Sequence, residues 1–132
     1  MARELAALET GMSAFRPLRA IGPLPIWTGI FARVVDGREM TFAVVELDPG
    51  AVAARHQHVN EQIGLVVSGS MTFVVGDETR ILEAGDTYEI PANVPHEATA
   101  GKDGAVVIDV FAPIRSDWVK FTPQAPRPPR WP

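Results

Sequence analysis

The sequence holds three histidines, and all three stand where a metal ion could use them: His56 and His58 form a His-x-His pair, and His96 lies between Pro95 and Glu97. Imidazole is the commonest protein metal ligand, and it binds as a neutral donor when its other ring nitrogen is held by a hydrogen bond. An isolated His-x-His reads better as two polar residues at an exposed strand end. Here glycines frame the pair, with Gly50 six positions before His56 and Gly69 seven after Gln62. The segment Gly85-Asp-Thr-Tyr-Glu-Ile-Pro91-Ala-Asn93-Val-Pro-His96 repeats the plan around the third histidine. A fourth ligand is Gln62 by spacing or Glu61 by chemistry. The count to Gly69 favours Gln62, whose even number also matches His56 and His58 if the segment is extended, since strand side chains alternate faces. Three histidines and an amide leave a bound ion its full charge, which makes a strong Lewis acid attractive to anions.

Two further residues could move protons or hold a carboxylate. In Val107-Ile-Asp109-Val-Phe111 a period of two puts Val107, Asp109 and Phe111 on one face of an apolar strand. An ionised Asp there is costly unless paired or functional. Asp109 is therefore either an interior acid/base near the metal or a strand-end residue paired to Arg115 or facing solvent. The planar fork of Arg115 suits a substrate carboxylate, or an ion pair with Asp117 or Glu89.

Strands must position these groups. Ile26–Val35, Met40–Leu47, Gln62–Val67, Met71–Val75, Thr79–Leu82, Thr87–Ile90 and Ala105–Phe111 are rich in Val, Ile, Phe and Thr and read as strands. Turn chemistry separates them at Asp36-Gly37, Asp48-Pro49-Gly50, Ser68-Gly69, Gly76-Asp77, Ala84-Gly85-Asp86 and Gly101-Lys-Asp-Gly104. Such spacing predicts an antiparallel, all-β sandwich or barrel. Residues 26–118 form that domain, 1–25 an N-terminal arm and 119–132 a Pro-rich tail. Leu5, Leu8 and Met12 fall at helical spacing and suit a short helix in the arm. The tail carries five prolines over 123–132 and should be extended, as a strap over a neighbouring subunit or as surface chain.

A length of 132 residues with 46% apolar content supports one domain, and a net charge of −4 offers no basic patch for nucleic acid or an anionic membrane. The absence of cysteine leaves metal ligation to nitrogen and oxygen. Only four apolar residues lie between Glu4 and Glu9, too few for a secretory core, so a cytoplasmic location is expected.

Gly50, His56, His58, Gly69, Gly85, Pro91 and His96 resemble the two motifs of the cupin superfamily, G-x5-H-x-H-x(3,4)-E-x6-G and G-x5-P-x-G-x2-H-x3-N. Gln62 stands in the Glu slot, Asn93 in the second Gly slot and Ala100 in the final Asn slot. The resemblance implies a double-stranded β-helix or jelly-roll barrel, a homodimer, and one divalent transition metal per subunit (Zn, Ni, Mn, Fe or Co). Glu61-Gln62-Ile63-Gly64, Asp109-x-Phe111 and Arg115 further resemble the small cupins of pectin and alginate breakdown, which open 4,5-unsaturated uronates to linear ketouronates. That narrower likeness implies His56, His58, Gln62 and His96 on the metal, Asp109 and Arg115 handling proton and carboxylate, and Phe111 shaping the pocket. It departs at Gly64, where that group has a second polar residue.

Three functions follow, in order of preference. The first is a non-redox ring opening, isomerisation or lyase-type step on a small carboxylated sugar, by Lewis-acid and acid/base chemistry. The second is a non-catalytic binder of an anionic small molecule. The third is a metal-dependent dioxygenase, since a histidine-rich site with open positions can bind iron and oxygen.

Overall fold

The computed structural model describes residues 13–132, so the arm helix expected around Leu5, Leu8 and Met12 lies outside the described residues. Eight strands follow in order: β1 (Leu24–Trp27), β2 (Ile30–Asp36), β3 (Thr41–Leu47), β4 (Val52–His56), β5 (Glu61–Val75), β6 (Glu78–Glu83), β7 (Thr87–Ile90) and β8 (His96–Ala112). Helix among the described residues is confined to two 3₁₀ turns, Leu18–Ala20 and Ser116–Lys120. No described helix is long and apolar enough to cross a membrane.

Every strand pairing is antiparallel, and the order is β1-β2-β3-β8-β5-β6, with β4 on β8 and β7 on β5. β5 and β8 run 15 and 17 residues and serve two leaves at once. Their Gln62 and Phe111 ends carry β7 and β3, while their Val75 and His96 ends carry β6 and β4. Strands that pass from one leaf to another must bend, and bulges or glycines let them do so. The result is the all-β jelly-roll barrel predicted from the sequence, filled by Ala32, Ala43, Val45, Leu47, Val66 and Val107 among others.

Several expected turns are strand bends instead. Ser68-Gly69 lies inside β5, where the pairing with β8 shifts register between Val66 and Ser68 and again between Gly69 and Met71. Gly69 has φ +75, and a Cβ there would stand 2.0 Å from the Gly104 oxygen on β8, so glycine turn chemistry here serves a close backbone crossing. Gly101 to Gly104 likewise lies within β8. Conversely, Ile26–Val35 divides into the β1–β2 hairpin at Gly29, φ +75. β4 was not expected because Val52-Ala-Ala-Arg-His56 carries few β-branched residues; its pairing with β8 secures it.

The Pro-rich tail lies as a strap along its own barrel. The Arg130 backbone N–H donates to Glu46 (2.7 Å), its guanidinium to the Leu47 carbonyl (3.1 Å) and to Asp48, and the Gln124 N–H to the Pro23 carbonyl (2.9 Å). Beneath this strap Arg33 and Glu46 form a buried ion pair at 2.7 Å, and Arg33 also donates to the Arg127 carbonyl (3.0 Å).

Candidate metal centre

β4 and β8 set His56 opposite His96 across one rung, and the connection from β4 to β5 brings His58 beside them. The Asn93 N–H holds that connection through the His58 carbonyl at 2.8 Å. Asn93 has φ 63, a left-handed conformation that Asn tolerates better than most residues, which explains Asn in a glycine slot. Asn60 anchors the other side by donating to the Pro113 and Ile114 carbonyls (2.6 and 3.1 Å).

Each imidazole meets a backbone carbonyl through Nδ1: Ala54 for His56 (2.7 Å), Asn60 for His58 (2.9 Å) and Val94 for His96 (2.9 Å). A carbonyl only accepts, so Nδ1 carries a proton, and in the neutral ring Nε2 then keeps a lone pair. The ligand atoms lie within 4.8 Å of one another. His96 Nε2 is buried with no partner, and Gln62 Oε1 stands 3.2 Å from His58 Nε2, an acceptor facing an acceptor. An orphaned buried nitrogen and converging lone pairs fit a cation. Burial holds His96 down to about 4 and lowers His58 as well, with the Arg115 charge adding to the latter. Both rings are therefore neutral near pH 7, the state ligation needs.

Gln62 faces the cavity and Glu61 is exposed. The reason is not one extended segment from His56, because the chain turns between β4 and β5. Gln62 points inward because β5 sets it opposite Ile90 on β7 and Phe111 on β8.

The same cavity, about 370 Å³, is lined by Asp109, Phe111 and Arg115, with Trp27, Trp118 and Lys120 towards the same space. All seven residues singled out in the sequence thus line one chamber. Asp109 is 6% exposed and accepts from the Tyr88 hydroxyl at 2.5 Å. Desolvation raises its carboxyl to about 6, against the opposing pull of donation from Tyr88 and Gln62 and of the Arg115 charge. Its face is thus the interior. Arg115 forms the ion pair with Asp117 that the sequence allowed. Its guanidinium lies 4.6 Å from the Phe111 ring centre and 4.2 Å from that of Trp118, and Nε and Nη2 grip Asp117 at 3.0 and 2.9 Å. That grip holds the Asp117 carboxyl below its usual range.

Sequence reading missed Tyr88, Trp118 and Asp117 as parts of the site. Tyr88 was read only as a strand residue, and its meaning depends on Gly64: a Cβ on residue 64 would stand 2.2 Å from the Tyr88 ring. The absent polar side chain at Gly64 is thus matched by a phenol that fills its place.

A family model described as "Cupin domain" matches residues 43–111. The "Pectin degradation protein KdgF" of Dickeya dadantii (strain 3937) is 34% identical over 82 residues, covering 61% of this chain and 74% of that one. The "H2HPP isomerase" of Bacillus subtilis is 49% identical over 57 residues, 42% of this chain but only 24% of the relative. Among solved structures, KdgF from Halomonas sp. superposes with a TM-score of 0.73 at 31% identity, covering 80% of this chain and 98% of that one.

Proposed function

The chain belongs to the cupin domain family, and from that premise we propose that it is a metal-dependent enzyme performing a non-redox rearrangement of a small carboxylated sugar, with 4,5-unsaturated uronates as substrates. One observation carries the reading: three lone-pair-bearing imidazoles, a buried carboxyl and a guanidinium share a chamber sized for one small molecule. Relatives named for pectin degradation and for an isomerase support the direction.

His56, His58, His96 and Gln62 would hold a divalent ion, which supplies Lewis-acid polarisation of a hydroxyl or carboxylate oxygen. Asp109, raised to about 6, is poised to exchange a proton near neutral pH. In ring opening, the proton of the C1 hydroxyl leaves, the bond from C1 to the ring oxygen breaks, and the enol formed is protonated at C4 to give the ketone. Asp109 can take the first proton and return one to C4, so nothing is oxidised overall. Arg115 is pre-paired along the edge that grips Asp117, and Nη1 makes no hydrogen bond among the described residues. That remaining nitrogen is the one offered to a substrate carboxylate, with Phe111 and Trp118 fixing the plane of the guanidinium.

The test is turnover of a 4,5-unsaturated uronate by metal-loaded protein, followed by loss of the conjugated ultraviolet absorbance. Asp109→Asn should lower the rate by ~10²–10⁴-fold with metal content unchanged. His96→Ala should lose the metal by elemental analysis yet remain folded, because a large sheet core does not need the ion. A wild type that binds uronates without turning them over would replace the enzyme reading with the binder; oxygen consumption would point to the dioxygenase.

A further inference from the structure

Tyr88, Gly64 and Asp109 form one rung across β7, β5 and β8, with Gly64 paired to Tyr88 on one side and to Asp109 on the other. The Tyr88 ring lies over the central residue, since a Cβ on Gly64 would stand 2.2 Å from its Cζ and 2.4 Å from its Oη. Phe73 supports the ring with centroids 4.6 Å apart. Reaching across a strand, the hydroxyl meets Asp109 Oδ1 at 2.5 Å. A phenol has one proton to give and a carboxylate only accepts, so this bond engages Oδ1 and leaves Oδ2 free of the phenol. Gln62 also donates to this carboxylate, and the phenol adds a second fixed point to a terminal torsion that is otherwise broad and roughly two-fold.

We propose, building on the reading of Asp109 as the proton-transfer residue, that Tyr88 is a positioning residue that fixes the Asp109 carboxylate so that Oδ2 meets the substrate, and that Gly64 is the vacancy that admits it. Residues 64 and 88 then act as one unit. A side chain at 64 excludes the phenol, and loss of the phenol leaves the carboxylate with the Gln62 donor alone.

Tyr88→Phe keeps the ring and removes only the hydroxyl. Crystal structures of the metal-loaded variant should show Asp109 in more than one orientation where the wild type has one. The kcat on an unsaturated uronate should fall about tenfold, the equivalent of one lost hydrogen bond, with KM within about twofold of wild type. Added to Asp109→Asn, Tyr88→Phe should lower kcat no further, because the phenol acts only through the carboxylate. Gly64→Ala, which retains the hydroxyl but crowds the ring, should reproduce the Asp109 disorder. A single wild-type orientation of Asp109 in Tyr88→Phe overturns the proposal, and so does an additive loss in the double variant. A wild type without uronate turnover counts against the substrate reading alone, and the crystallographic comparison then decides for or against Tyr88.

Discussion

Burial raises the Asp109 carboxyl to about 6 and lowers the His96 imidazole to about 4, and the two shifts act on stability with opposite sign. The folded state binds the Asp109 proton more tightly than the unfolded chain, so this group favours folding as pH falls from about 6 towards 4. His96 does the reverse. Its folded pKa lies below the unfolded 6.5, so stability present above pH 6.5 is lost as the pH falls towards 4. In metal-free wild type the two largely offset. Metal-free Asp109→Asn should therefore be the more stable protein at pH 7, by up to about 3 kcal/mol for a shift of roughly two units, and should lose stability more steeply between pH 6.5 and 4. Urea titrations across that range would show it, and parallel pH profiles for the two proteins would refute it. The histidines were legible because ligand geometry constrains spacing along the chain. Tyr88 was not, because its partner lies two strands away and only the register reveals it.

The long strands β5 and β8 matter because each contributes to both leaves. Gly69→Ala should destabilise the fold by more than about 2 kcal/mol, since an L residue at positive φ costs about 1–2 kcal/mol and its methyl would also meet the Gly104 carbonyl oxygen at 2.0 Å. A lower urea midpoint at unchanged slope is the expected result. By contrast, Gly85→Ala meets nothing within 4 Å, so only the backbone strain remains and the loss should be smaller. Most strand positions could be read from β-branched and aromatic content. The bends could not, because Ser68-Gly69 and Gly101 to Gly104 have the composition of turns, and only pairing to a partner distinguishes a kinked strand from a reversal. β4 shows the converse limit, a strand secured by its neighbour rather than by its own residues.

At the scale of the molecule, the all-β antiparallel class was legible from strand and turn composition; the first strand, β1, begins at Leu24, and the 3₁₀ turn carrying Trp118 runs on to Lys120. Trp118 belongs to the core cluster, so the tail continues from a residue already packed inside. What the sequence did not disclose is where the tail lies, because prolines specify an extended backbone without specifying a surface. The strap joins residues far apart in synthesis: Arg130 reaches Glu46 across 84 positions. Arg33 and Glu46 thus emerge long before the segment that hydrogen-bonds to both. The strap docks on the end of β3 and the residue after it, through the Glu46 and Asp48 side chains and the Leu47 carbonyl. Amide hydrogen exchange at Arg130 should consequently be slower than at its exposed tail neighbours yet faster than in β3 and β8, marking a separate, lower-energy unit of opening.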